Sequence, residues 1–211
     1  MNDKQILITG ATNGIGLAAA EALGALGANL AIVGRSKTRT GIASARIRAA
    51  AGRGATVATF IADLSSQPRC ADWPPRCWPA IQSWKCSSTT PVRCTEDGTT
   101  ELARRLDGTG VTANCFHPGL VATGFNRNNG LLMTLGMAIL RPAARSPQKG
   151  AETLVWLATS RDIVNVTGAY FFDQEQRPPS PAAQDTRTAA RLWEISERQC
   201  AVSEGSAEAR S

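Results

Sequence analysis

The sequence predicts an α/β fold built on a doubly wound parallel sheet that is incomplete at its centre, and three observations carry that expectation. Ile6-Leu-Ile8 form an apolar run that breaks into the glycine-rich turn Thr9-Gly-Ala-Thr-Asn-Gly-Ile-Gly16. Helix formers resume over Leu17-Ala-Ala-Ala-Glu-Ala-Leu23, and Asn29-Leu-Ala-Ile-Val-Gly34 reads as a second short strand. Between residues 65 and 94 neither the period of 2 nor that of 3.6 persists, and prolines fall at 68, 74, 75, 79 and 91.

The first 34 residues therefore make one βαβ unit, whose crossover is right-handed if its strands are parallel. Gly10 allows the tight exit from the first strand, while Gly14 and Gly16 let backbone approach a pyrophosphate and let the helix pack on the sheet. Amides at the helix N-terminus then receive the phosphates. At the end of the second strand, where an acidic residue would bond the ribose of NAD, stands Arg35, a cation suited to a 2′-phosphate. NADP is thus expected rather than NAD.

With 211 residues and 43% hydrophobic content, one domain spanning 1–211 is expected, with 65–94 an anomalous segment inside it. The net charge of +6 comes from 23 scattered Lys and Arg without interleaved aromatics, which argues for a solvated basic surface and against nucleic acid. The longest apolar run, 131–140, is well short of the roughly 20 residues that cross a bilayer as a helix, so no membrane span is expected. The chain opens on polar residues and passes into Gln5-Ile-Leu-Ile-Thr9, a strand rather than a secretory leader, so its six Cys are expected reduced in the cytoplasm. Cys70, Cys77, Cys86 and Cys94 lack the paired spacing of structural zinc, and no metal is expected.

The spacing Gly10-x-x-x-Gly14-x-Gly16 resembles the signature of the short-chain dehydrogenases/reductases. Ala62-Asp63-Leu64 resembles that family's adenine-contacting step, and His117-Pro-Gly-Leu-Val-Ala-Thr123 its cofactor loop after the sixth strand. Gly168-Ala-Tyr-Phe-Phe-Asp173, Pro178-Pro-Ser180 and Ala190-Arg-Leu-Trp-Glu-Ile-Ser-Glu197 are similar to the retinol-dehydrogenase-like branch. The resemblance covers residues 1–64 and about 101–200. It implies a Rossmann-like sheet of order 3-2-1-4-5-6-7 and NAD(P)-dependent hydride transfer with a small carbonyl or alcohol substrate. It also implies a cofactor site at Gly10, Thr12, Asn13, Gly14, Ile15, Gly16, Arg35, Asp63, Leu64, Pro118, Gly119, Val121 and Thr123. His117, the only histidine, takes a positional role in this reading.

The catalytic half of the family pattern is missing. Its relay needs a Tyr whose pKa is lowered by a Lys four residues on, both on one helical face. The chain has one tyrosine, Tyr170, whose i+4 neighbour is Gln174 and whose setting reads as a strand. The family's serine and its Asn-Asn-Ala-Gly segment are absent too, so no catalytic residue is assigned. Ile61 and Val111 are separated by 49 residues, whereas each βαβ unit takes roughly 30 or more, so strands four and five are disrupted or missing.

The genetic code accounts for the anomalous segment. Joining the last base of each codon to the first two of the next lets Trp84-Lys-Cys-Ser-Ser-Thr-Thr-Pro-Val-Arg-Cys94 read as Glu-Val-Leu-Val-Asn-Asn-Ala-Gly-Ala-Met, the missing fourth strand. The same shift explains the local excess of Cys and Trp. Glu101-Leu-Ala-Arg-Arg-Leu106 resembles the end of the catalytic helix, with the frame restored after a deletion. The functional expectation is a catalytically impaired oxidoreductase of this family. The alternative is a non-catalytic dinucleotide- or partner-binding protein, with residues 131–140 as an apolar docking face.

Overall fold

Alternating apolar strands and helices over the first sixty residues fold as their patterning predicts. The computed structural model describes residues 4–52, 54–63, 85–87, 96–122 and 144–200. Strands β1 (Gln5–Thr9), β2 (Asn29–Gly34) and β3 (Val57–Ile61) lie parallel, with Leu7 opposite Ala31 and Ala31 opposite Ala58. Parallel neighbours need a crossover, and helices α1 (Gly14–Ala25) and α2 (Lys37–Ala50) supply it. The strand period of 2 sorts the apolar side chains into two clusters. Ile6, Ile8, Leu30 and Ile32 pack with Leu17 and Leu23 of α1 and Ile47 of α2, while Leu7, Ala31 and Val33 pack with Ala58 and Phe60. Among the described residues, no helix contributes to the second cluster.

Strand β4 (Lys85–Ser87), only three residues long, lies parallel to β1 with Ile6 opposite Lys85 and Ile8 opposite Ser87, giving the order β3-β2-β1-β4. The segment that reads as anomalous thus still supplies backbone to the sheet, because a ladder needs only extended N–H and C=O groups.

Among the described residues, no further strand joins the parallel sheet. A second sheet has the order β5-β6-β7, from strands β5 (Cys115–His117), β6 (Tyr170–Phe172) and β7 (Glu175–Arg177). The order implied by the resemblance sets the tail strand beside the strand that ends at His117, and the structure pairs them. Cys115 N donates to Ala169 O at 3.0 Å, and Gly168 N donates to Ala113 O at 2.7 Å.

Backbone contacts divide the chain into two compact units. The first comprises residues 1–92, 116–161 and 172–174, and holds the four-stranded sheet and helix α4 (Pro147–Thr159). Ser146 caps α4 and Pro147 opens it, and Ala151 and Leu154 pack on Ala18 and Ala19 of α1. The second comprises residues 93–115, 162–171 and 175–211. In it, helix α3 (Glu96–Arg105) packs against α5 (Thr186–Cys200). The Arg105 guanidinium lies 4.8 Å from the Trp193 ring centroid, and the Trp193 indole N–H donates to Glu197. No described helix is long and apolar enough to cross a membrane.

Candidate functional site

The turn between β1 and α1 is built by its glycines and by one asparagine. Gly10 at φ 71 and Gly14 at φ 57 both lie in the left-handed region, which a side chain resists. Asn13 is the N-cap of α1: its backbone is extended and its Oδ1 accepts from Gly14 N at 2.8 Å. Helix geometry gives the first-turn amides no partner inside the helix, so those of Ile15 and Gly16 face out of the α1 N-terminus. Gly16 is buried, and Ile15 packs in the cluster formed by α1 and α4.

Thr12 meets the end of β2. A Cβ on Gly34 would stand 2.9 Å from Thr12 Cγ2 and 2.2 Å from Thr40 Oγ1, so only glycine lets the turn and α2 close on this strand end. Arg35 follows at once and is exposed, and Ser36 caps α2 by accepting from Arg39 N at 3.4 Å. Asp63 lies just past β3, half-buried, where Ala62 N donates to Gly34 O at 3.1 Å. Leu64 lies outside the described residues.

The turn after β5 holds Pro118, Gly119 and Val121. His117 Nδ1 accepts from Gly119 N at 3.0 Å, so the single histidine shapes this turn through a hydrogen bond. Val121 bridges to Arg145: Arg145 N donates to Leu120 O at 2.8 Å, and Ala122 N donates to Arg145 O at 2.9 Å. A Cβ on Gly150 would stand 2.7 Å from Val121 Cγ2 and 3.3 Å from Ile15 Cγ1. One position in α4 therefore brings together a residue of the glycine turn and one of the later turn. Thr123 and residues 131–140 lie outside the described residues.

Sequence reasoning missed Gly34, Gly150, Arg145 and Asp173. A glycine ending a strand and a glycine inside a helix both signal close backbone approach. Arg145 and Asp173 carry no such signal, since their pairing spans 28 positions of sequence.

A shallow groove between α1 and α4 is lined by Ala18, Ala22, Ala151, Val155 and Trp156. None of its residues is a dinucleotide candidate. Among the described residues no cluster of His, Cys, Asp or Glu could hold a metal ion. Tyr170 is in β6, a strand, so it and Gln174 do not share a helical face.

Residues 4–73 match the family model described as short chain dehydrogenase. That stretch is similar to the front end of a short-chain dehydrogenase/reductase. Retinol dehydrogenase 13 of Homo sapiens is 38% identical over 105 residues, which are 47% of this chain and 32% of that protein. Retinol dehydrogenase 14 of Mus musculus is 41% identical over 102 residues, which are 47% of this chain and 30% of that protein. The matched region spans about a third of the length of these curated relatives.

Solved structures of short-chain dehydrogenases/reductases share the fold. One from Mycobacterium ulcerans aligns with a TM-score of 0.61 at 17% identity, covering 90% of this chain and 98% of its own. A 3-oxoacyl (acyl-carrier-protein) reductase from Agrobacterium tumefaciens, with NADP bound, aligns with a TM-score of 0.61 at 20% identity, covering 81% of this chain and 93% of its own.

Proposed function

We propose that this short-chain dehydrogenase/reductase chain binds a nicotinamide dinucleotide, prefers NADP to NAD, and performs little or no hydride transfer itself. The observation that carries the reading is the β1–turn–α1 unit, with Gly10 and Gly14 in the left-handed region and Asn13 capping the helix. In this reading Gly10, Thr12, Asn13, Gly14, Ile15 and Gly16 hold the pyrophosphate, and Asp63 and Leu64 flank the adenine. Pro118, Gly119, Val121 and Thr123 border the nicotinamide end.

The residues fit the group. The glycine turn leaves backbone, rather than side chain, at the helix N-terminus, and the helix dipole there favours an anion. Bound, the dinucleotide would supply a hydride to a carbonyl or accept one from an alcohol. The chain's own residues bind and orient it, but the one tyrosine lies in a strand, without a lysine four residues on to hold its proton ready. The whole protein's activity on carbonyl or alcohol substrates, and its cytoplasmic location, are parts of the same proposal.

Arg35 tests the cofactor choice. Its guanidinium can fork to a 2′-phosphate in charge-assisted hydrogen bonds worth about 1.5–3 kcal/mol, or roughly tenfold or more in affinity. Titration of NADPH and NADH should show the unaltered chain favouring NADPH, and Arg35→Ala should erase that preference without weakening NADH. Equal affinity for both in the unaltered chain would overturn the choice of NADP.

A further inference from the structure

Arg145 makes more contacts than its place ahead of a helix requires. Its backbone bridges Val121 through the two hydrogen bonds at 2.8 and 2.9 Å. Its side chain lies against Gly119, where a Cβ would stand 3.1–3.3 Å from Nε, Cδ and Cζ, and where φ is +77. Beyond Gly119 the guanidinium forks onto both carboxylate oxygens of Asp173, with Nη2 at 2.7 Å from Oδ2, and stacks over the Phe172 ring at 5.2 Å. The Asp173 hydrogen bonds raise the Arg145 pKa, against a smaller opposing effect of burial.

The other end of this tie is also fixed. Asp173 at φ 50 and Gln174 at φ 66 form the two-residue link between β6 and β7. Gln174 N donates to Thr153 Oγ1 in α4 at 3.3 Å, and the Phe172 ring lies 5.8 Å from that of His117. The turn 117–122 is thereby held at three places: by His117 on Gly119, by the Arg145 backbone on Leu120 and Ala122, and by the Arg145 side chain packed on Gly119.

We propose that Arg145 is a positioning residue for the nicotinamide end of the dinucleotide, with the Asp173 carboxylate as its anchor. It pins the Pro118–Val121 turn in one register against which the nicotinamide half is read, and it leaves the adenosine half, held by the glycine turn and Arg35, untouched. This rests on the dinucleotide reading of that turn.

The test compares NADPH with 2′-phospho-ADP-ribose, the same molecule without its nicotinamide, in the full chain carrying Arg145→Gln or Asp173→Asn. Losing a bidentate charge-assisted pair should weaken NADPH by roughly 3- to 10-fold. Binding of 2′-phospho-ADP-ribose should be unchanged. Arg145→Lys should behave like Arg145→Gln, because an ammonium cannot reproduce the fork. Equal losses for both ligands would mean a general structural defect and overturn the proposal.

Amide hydrogen exchange on the ligand-free chain supplies a second arm. Arg145→Gln should speed exchange in residues 118–122 and leave residues 5–34 unchanged, and unaltered exchange at 118–122 would overturn the pin. If the unaltered chain bound neither ligand, the dinucleotide reading would fail by itself, and the exchange result would still decide whether Arg145 holds the turn.

Discussion

Glu101, only 2% exposed in α3, is held by its own helix. Arg104 donates to both of its oxygens at 2.7 and 2.9 Å, and Arg105 donates to Oε1 at 2.8 Å. The Arg104 hydrogen bonds take its carboxyl from the ordinary 4.5 down to about 2, with burial opposing and Arg105 adding to the fall. Since the folded value lies below the unfolded one, this stabilisation is complete above about pH 4.5 and is lost as the pH falls toward 2. Thermal melting over that acid range should show stability falling with pH, and Glu101→Gln should flatten the fall. An unchanged slope in that variant would contradict the assignment. Among the described residues, Thr40 Oγ1 and Ser44 Oγ, also buried, have no hydrogen-bond partner.

At the scale of elements, what was legible followed from local patterning. The run Ile6-Leu-Ile8, the glycine turn and the run Asn29–Gly34 announced β1, α1 and β2 because each has one dominant period and a turn chemistry to end it. Strand β4 was legible only through the shifted reading frame, which places the fourth strand within residues 84–94. Lys85-Cys-Ser87 has no strand pattern, and it is placed by the open edge of β1 rather than by propensity. The partner of β5 was legible only through the resemblance, since Cys115 and Ala169 are brought together by tertiary structure and not by local pattern. In the candidate site, Gly10, Asn13 and Gly14 could be read because their roles are local, whereas Arg145 and Asp173 could not because their role is a pairing. A three-residue edge strand holds a sheet weakly, and a parallel sheet normally needs both faces covered. Circular dichroism melting should therefore show a weak, early transition. Replacing residues 85–94 with Glu-Val-Leu-Val-Asn-Asn-Ala-Gly-Ala-Met should raise it, and a cooperative high-temperature melt of the unaltered chain would contradict this.

At the scale of the whole molecule, residues 4–73 are similar to a short chain dehydrogenase, and the proposed function gives this chain a dinucleotide-binding half without a proton relay. The described helices α1, α2 and α4 all pack in the clusters around α1, on one side of the four-stranded sheet. Binding a dinucleotide asks mainly for the strand–turn–helix unit and the turn after β5. Turning it over asks for a positioned acid, and the acid the family uses is the one for which this sequence has no candidate. The most direct test is a time course of nicotinamide fluorescence when NADPH and then an aldehyde are added to the purified chain. The account predicts a saturable change on adding NADPH that persists after the aldehyde. Decay of the signal at an enzymatic rate would contradict it by showing hydride transfer, and no initial change would contradict it by showing that the dinucleotide does not bind.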